Sequence, residues 1–124
     1  MESRDLSDLM ALAASVVDKY DDELVALRRE VHRQPELAWH EHATVERIVA
    51  RLEGTGWALA RTPRAGLIAD LGTSGPRVAL RTDLDALPVD DLTADPWRSQ
   101  TPGVAHSCGH PLPLRREPSC RRPG

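Results

Sequence analysis

The sequence predicts an α/β layered fold. Two helical stretches come first, then three short strand-like runs, and the last of these runs ends in acidic residues. That order places helices against a sheet. In such sheets, binding and catalytic groups gather beyond the carboxyl ends of the strands. The stretch "RTDLDALP" sits at such an end, and "HSCGH" follows it in a loop about twenty residues later.

Residues 5–33 read as helix. Leu6, Leu9, Met10, Ala13, Val16, Val17 and Tyr20 recur at helical spacing, and Leu24, Leu27 and Val31 continue the stripe. Asp21 and Asp22 are candidate caps for a second helix, which would put a break near residue 21. Pro35 ends the pattern, because the residue before a proline is biased to extended geometry, and "HRQPELAWHE" then reads as a loop. A second helix runs from His42 to Glu53 on the stripe Val45, Ile48, Val49 and Leu52, with Gly54 as its stop. Three strand candidates follow. "WALAR" (57–61) alternates, while "GLIADL" (66–71) and "VALRTD" (78–83) are short apolar runs bounded by the turn signals "TPRAG" and "GTSGP". There is no internal repeat.

The chain has 124 residues, the size of one domain. It has no Phe, one Tyr and three Trp, so its core must rest on Leu, Val, Ile and Ala. The net charge is −3, but residues 111–124 carry four Arg and one Glu, which leaves −6 on the remainder. A body of that charge offers no basic face to nucleic acid. No apolar run approaches the roughly 20 residues of a membrane span, and the acidic N-terminus lacks a signal-peptide layout. Two cysteines, Cys108 and Cys120, make no secreted disulfide framework. A reduced, cytoplasmic setting is expected.

Two short stretches carry candidate chemistry. In "HSCGH", the Cys108 thiolate and the His110 imidazole lie two residues apart around Gly109, which lets both face one metal ion. Sulfur and nitrogen donors suit zinc and tolerate other first-row metals. Two ligands are not a site, and by spacing alone the pair reads more readily as a loop cysteine beside a solvated histidine. In "RTDLDALP", Asp83 and Asp85 share one face of an extended chain. Buried together they would repel unless a cation or a histidine neutralised them, as a metal and its surroundings do. They also read as two solvated carboxylates before Pro88. His32, His40 and His42, with Glu36 and Glu41, read more readily as caps or surface groups than as ligands. His106 reads as a supporting or structural residue.

Taken in order, "LVALRREVHRQPELAWHEHAT", "VALRTDLDALPV" and "TPGVAHSCGH" resemble the N-terminal region of the aminoacylase and hippurate-hydrolase branch of the metal-dependent aminoacylase and carboxypeptidase family, over about residues 22–110. The resemblance implies part of a three-layer catalytic domain with a mixed sheet, truncated before its later strands, over residues 1–110. It implies a chemistry in which two divalent metals, zinc, manganese or similar, activate water against the amide of an N-acyl amino acid or related conjugate. Cys108 and His110 inherit the role of metal ligands. Asp85 looks like the residue that orients the metal shell, with Asp83 a second catalytic candidate. The "HRQPE" block, with His32, Arg33, Pro35 and Glu36, reads as structural.

The departures begin at residue 111. The family continues after "CGH" with Asp and a further His, whereas position 111 is Pro. The family's later glutamate pair, two further histidine ligands and the dimerisation domain have no counterpart in this chain. "PLPLRREPSCRRPG" reads as an irregular tail of out-of-frame text. The expected function is therefore that of a truncated amidohydrolase, inactive as this chain, with an open sheet edge and an uncovered apolar face. The alternatives are a non-catalytic binding or complementation module, and a small zinc-binding protein using His106, Cys108, His110 and Cys120.

Overall fold

A computed structural model describes residues 3–109. The expectations for His110, Cys120 and the tail 111–124 lie outside the described residues. Four elements follow one another: α1 (Ser3–Arg33), α2 (His42–Leu52), β1 (Ala58–Arg61) and β2 (Leu67–Asp70). Helices precede a sheet, as the sequence predicts.

α1 runs unbroken through Asp21 and Asp22, which corrects the expected break. Neither Gly nor Pro interrupts it, and an aspartate in a helix interior costs no more than about 0.7 kcal/mol. Its last turn carries His32 and Arg33, cations that suit the negative end of the helix dipole. Only its C-terminal third is buried, through Leu27 and Val31. The earlier part of the stripe, from Leu6 to Tyr20, is exposed among the described residues. The pattern identified an apolar face without identifying what covers it.

α2 buries Thr44, Val45 and Val49. Its N-terminus has no cap from Glu41, the residue at the capping position. Glu36, from the preceding loop, takes over that task. Its carboxylate accepts the N–H of Ala43 at 3.0 Å, the N–H of Thr44 at 2.7 Å and the Thr44 hydroxyl at 2.7 Å. Donors that a helix start leaves unpaired are thus satisfied by a negative charge at the positive end of the dipole. Glu30 of α1 ties the two helices together by accepting from Arg47 at 3.0 Å and Arg51 at 3.1 Å.

β1 and β2 form an antiparallel pair, with Ala58 opposite Asp70 and Arg61 opposite Leu67. Among the described residues this is a two-stranded sheet. The expected third strand, "VALRTD", does not join it. Val78 is 91% exposed and Leu80 is 100% exposed. A strand needs a neighbour to pair with as well as a suitable composition, and this run has none among the described residues.

The remaining order comes from single bridges between loops. Leu37 pairs with Ala86 in parallel, and Leu87 pairs with Ala105 in antiparallel fashion. Ala86 N–H donates to the Glu36 carbonyl at 2.8 Å, and Leu87 and Ala105 exchange bonds of 2.9 and 3.0 Å. Ala86 and Ala105 are both buried.

Candidate functional site

These bridges determine what the site contains. The segment after Pro35, the segment after Asp85 and the segment before His106 lie side by side. The three sequence blocks that carry the family resemblance therefore meet, although they are far apart along the chain. Small side chains at Ala86 and Ala105 let the main chains approach at the centre of this crossing.

Asp85 is half-buried next to this crossing. His106, on the facing segment, is only 7% exposed, and neither ring nitrogen makes a hydrogen bond of normal geometry. Burial holds the imidazole below its usual range, and the nearby His32 adds to that, while the charge and main chain of Asp85 oppose it. The rings of His32 and His106 are 6.3 Å apart. Leu27, Val31, Thr44, Asp83 and His106 line a small cavity of about 10 Å³ between the helices and the "DLD" stretch, about the size of one water molecule. Asp83 accepts from Arg81 at 3.1 Å and is exposed. The two aspartates thus differ in setting: Asp85 faces the buried histidine region, and Asp83 lies at its rim.

A second carboxylate, which the sequence did not single out, anchors the region. Asp91 accepts the N–H of Ser99 at 2.7 Å, the N–H of Thr93 at 3.0 Å, the hydroxyl of Thr93 at 2.7 Å and Nε2 of His32 at 3.1 Å. Its side chain is 6% exposed. The Ser99 and Thr93 bonds hold its carboxyl far below the ordinary range against the opposing effect of burial, and His32 contributes the rest. Asp91 thereby fastens the 91–99 loop to α1 across 59 residues of sequence. Arg29 adds a second attachment, with its guanidinium 3.9 Å from the centre of the Trp97 ring. The only local signal was the turn-forming residues Asp95 and Pro96 shortly after Asp91, an ordinary turn composition.

Cys108 is a free, exposed thiol, and His110 lies outside the described residues. Among the described residues, no three His, Cys, Asp or Glu side chains converge to hold a metal ion. The described residues alone therefore do not fit a complete metal centre. His32 bonds to Asp91, His40 to the Ala38 carbonyl, and His42 begins α2. Glu36 is structural, as the sequence suggested.

Comparison with known proteins places this arrangement. No protein-family model matches the chain. Over 108 residues it is 39% identical to the "Putative glutamate--cysteine ligase 2-3" of Rhodococcus jostii, covering 86% of this chain and 13% of that one. It is 37% identical over 93 residues to the N-acetyl-L-cysteine deacetylase of Bacillus subtilis, covering 73% of this chain and 22% of that one. Among solved structures it resembles the Bacillus subtilis YXEP protein, a dinuclear metal binding peptidase from the M20 family. The TM-score is 0.68 and the identity 34%, over 75% of this chain and 27% of that one. The chain therefore spans less than a quarter of the length of these two curated relatives. No described helix is long and apolar enough to cross a membrane.

Proposed function

We propose, for a chain that belongs to the M20 family of metal-dependent amidohydrolases, that it supplies one wall of an amidohydrolase site and does not complete that site alone. The observation that carries this reading is the crossing at Ala86 and Ala105, which brings the "DLDALP" and "VAHSCGH" blocks side by side. In this reading residues 1–110 are the opening part of the catalytic domain. Cys108 and His110 are two ligands for a divalent ion such as zinc or manganese, and Asp85 orients the metal's surroundings with Asp83 at its rim. The substrate class is an N-acyl amino acid, and a reducing, cytoplasmic setting keeps Cys108 a thiol.

A catalytic zinc centre uses about three protein ligands and an open position, and water activation at neutral pH needs a positioned base. Two ligands meet neither need. The purified chain, supplied with zinc or manganese, is expected to leave N-acetyl and N-benzoyl amino acids intact. Equilibrium dialysis should show weak metal binding that Cys108→Ser removes. Metal-dependent turnover by the chain alone would sink this reading. The out-of-frame origin proposed for residues 111–124 is tested by translating the other frames of the encoding DNA beyond codon 110 and looking for an Asp and a His after "CGH".

A further inference from the structure

The two halves of α1 have different surroundings. Near its C-terminal end, Leu27 and Val31 are buried and share a small cavity with Thr44 and Ile48 of α2. Residues 6–20 have no such cover: every one of them is exposed, on all sides of the helix. Tyr20, the least exposed large apolar residue of this stretch, is still 44% exposed. An unpacked helix of this length is marginal in water, because most helical stability comes from an apolar face laid against something else.

The apolar residues of this half carry a pairing pattern. Leu6, Leu9, Ala13, Val16 and Tyr20 follow one another in alternating steps of three and four, the heptad spacing of helices that pack lengthwise on other helices. Met10 and Val17 widen the stripe, and Leu12 borders it. At 1.5 Å per residue the stripe is about 21 Å long. Its spacing calls for a helix as partner.

Size and charge select which helix. Laid antiparallel on a copy of itself, the stripe is self-complementary. Leu6 comes level with Val16 of the second copy and Leu9 with Ala13, so large faces small. Two-fold symmetry repeats both pairs, as an interface between identical surfaces requires. In the same register Ser3, where the helix begins, comes level with Lys19 of the other copy. It stops short of Leu24, so each helix ends before it meets the other copy's body. Residues 18–23 carry four carboxylates and one ammonium, and Asp21 and Glu23 flank the stripe on either side. That places negative charge beside the positive end of the partner helix, whose first N–H groups have no intrahelical acceptor. A parallel pairing would instead set the two acidic stretches side by side and bring both bodies to one end, on the face that α2 already occupies.

We propose that residues 6–20 of α1 form an antiparallel, two-fold helix pair with a second copy of this chain. The inference is independent of the amidohydrolase reading and uses no residue of the metal site. Two stripes of this length make an interface at the small end of those that persist, so the dimer should dissociate on dilution into the low micromolar range.

Sedimentation equilibrium of the full 124-residue chain, kept reduced, should fit a reversible monomer–dimer equilibrium. Leu9→Asp and Val16→Asp each place a carboxylate in the seam and should weaken the dimer at least about tenfold. Both sites are exposed in the monomer, so the monomer's circular dichroism and denaturation midpoint should not change. Cysteine pairs read the register. In a Cys108→Ser, Cys120→Ser background, a chain carrying Leu9→Cys should form a disulfide with a chain carrying Ala13→Cys, and far less with itself. A chain that stays monomeric at high micromolar concentration overturns the proposal. A dimer that survives both aspartate variants does so too, by placing the contact elsewhere, for example at the open edge of β2. Aspartate variants that unfold the monomer would show that the body covers the stripe, which also refutes the pairing. Leu9→Cys chains that crosslink chiefly with one another would refute the antiparallel register.

Discussion

A few side chains carry long-range order out of proportion to their number. Glu36 is the clearest, because one carboxylate satisfies three donors at the start of α2. Thr44, which supplies two of those donors, is fully buried. Replacing a capping oxygen by a methyl group costs about 0.5–2 kcal/mol. Glu36→Ala is therefore expected to destabilise the fold by about 2 kcal/mol, at the upper end because Thr44 has no access to water as a replacement. Urea denaturation followed by circular dichroism would measure it, and an unchanged midpoint would show that the carboxylate is dispensable. The "HRQPE" block was legible as structural from the sequence. The three bonds of Glu36 were not, because they depend on the loop folding back by seven and eight residues.

At the level of elements, local pattern and tertiary need part company in instructive places. α2, β1 and β2 stand within a residue or two of where periodicity and turn signals put them, since their signals are local. The run at 78–83 has the composition of a strand, yet pairing requires a neighbour that composition does not encode. α1 shows the same limit on a helix: its stripe is apolar over most of its length but buried only near its C-terminal end. Removing residues 1–18 should therefore shift the thermal midpoint of the monomer by no more than about 2 °C. Val31→Ala, in the buried third, should cost about 1.5–3 kcal/mol, the worth of burying such a side chain. Scanning calorimetry of the two variants would separate the contributions. A large loss on truncation would mean that the early stripe is covered within the monomer.

Over the whole molecule, stability is expected to depend on acid more than on alkali. Asp91 and Glu30 both hold folded-state pKa values below their ordinary ones. For Asp91 the cause is its bonds to Ser99 and Thr93. For Glu30, burial pushes the carboxyl up, and bonds from Arg51 and Arg47 more than offset it. A group depressed in the folded state contributes stability fully above its unfolded pKa, and that contribution disappears as pH falls through the folded value. Burial depresses His106 as well, so the denaturation midpoint should begin to fall below about pH 6.5, the ordinary histidine value, and decline further below about pH 4, the ordinary carboxylate range. Asp91→Asn should flatten that acid limb while lowering the plateau, because a neutral amide keeps the shape and loses the charge that strengthens the four bonds. An acid limb identical to that of the parent would remove Asp91 as its source. Asp91 was not foreseen as an anchor, since its partner His32 lies 59 residues away. The meeting of the "DLDALP" and "VAHSCGH" blocks was foreseen only through family likeness, because no local rule brings them together.

Because Val78–Thr82 does not join β2, a slot of about 970 Å³ lies between them, and it has an optical consequence. The chain has three tryptophans and no phenylalanine, and Trp39 and Trp57 both line that slot. Two of the three indoles therefore lie in that slot, with Trp97 held apart against Arg29. Filling the slot would exchange water for other groups around both of them. The chain thus contains its own fluorophores for following whatever enters that slot, without a label and without waiting for any reaction to be catalysed.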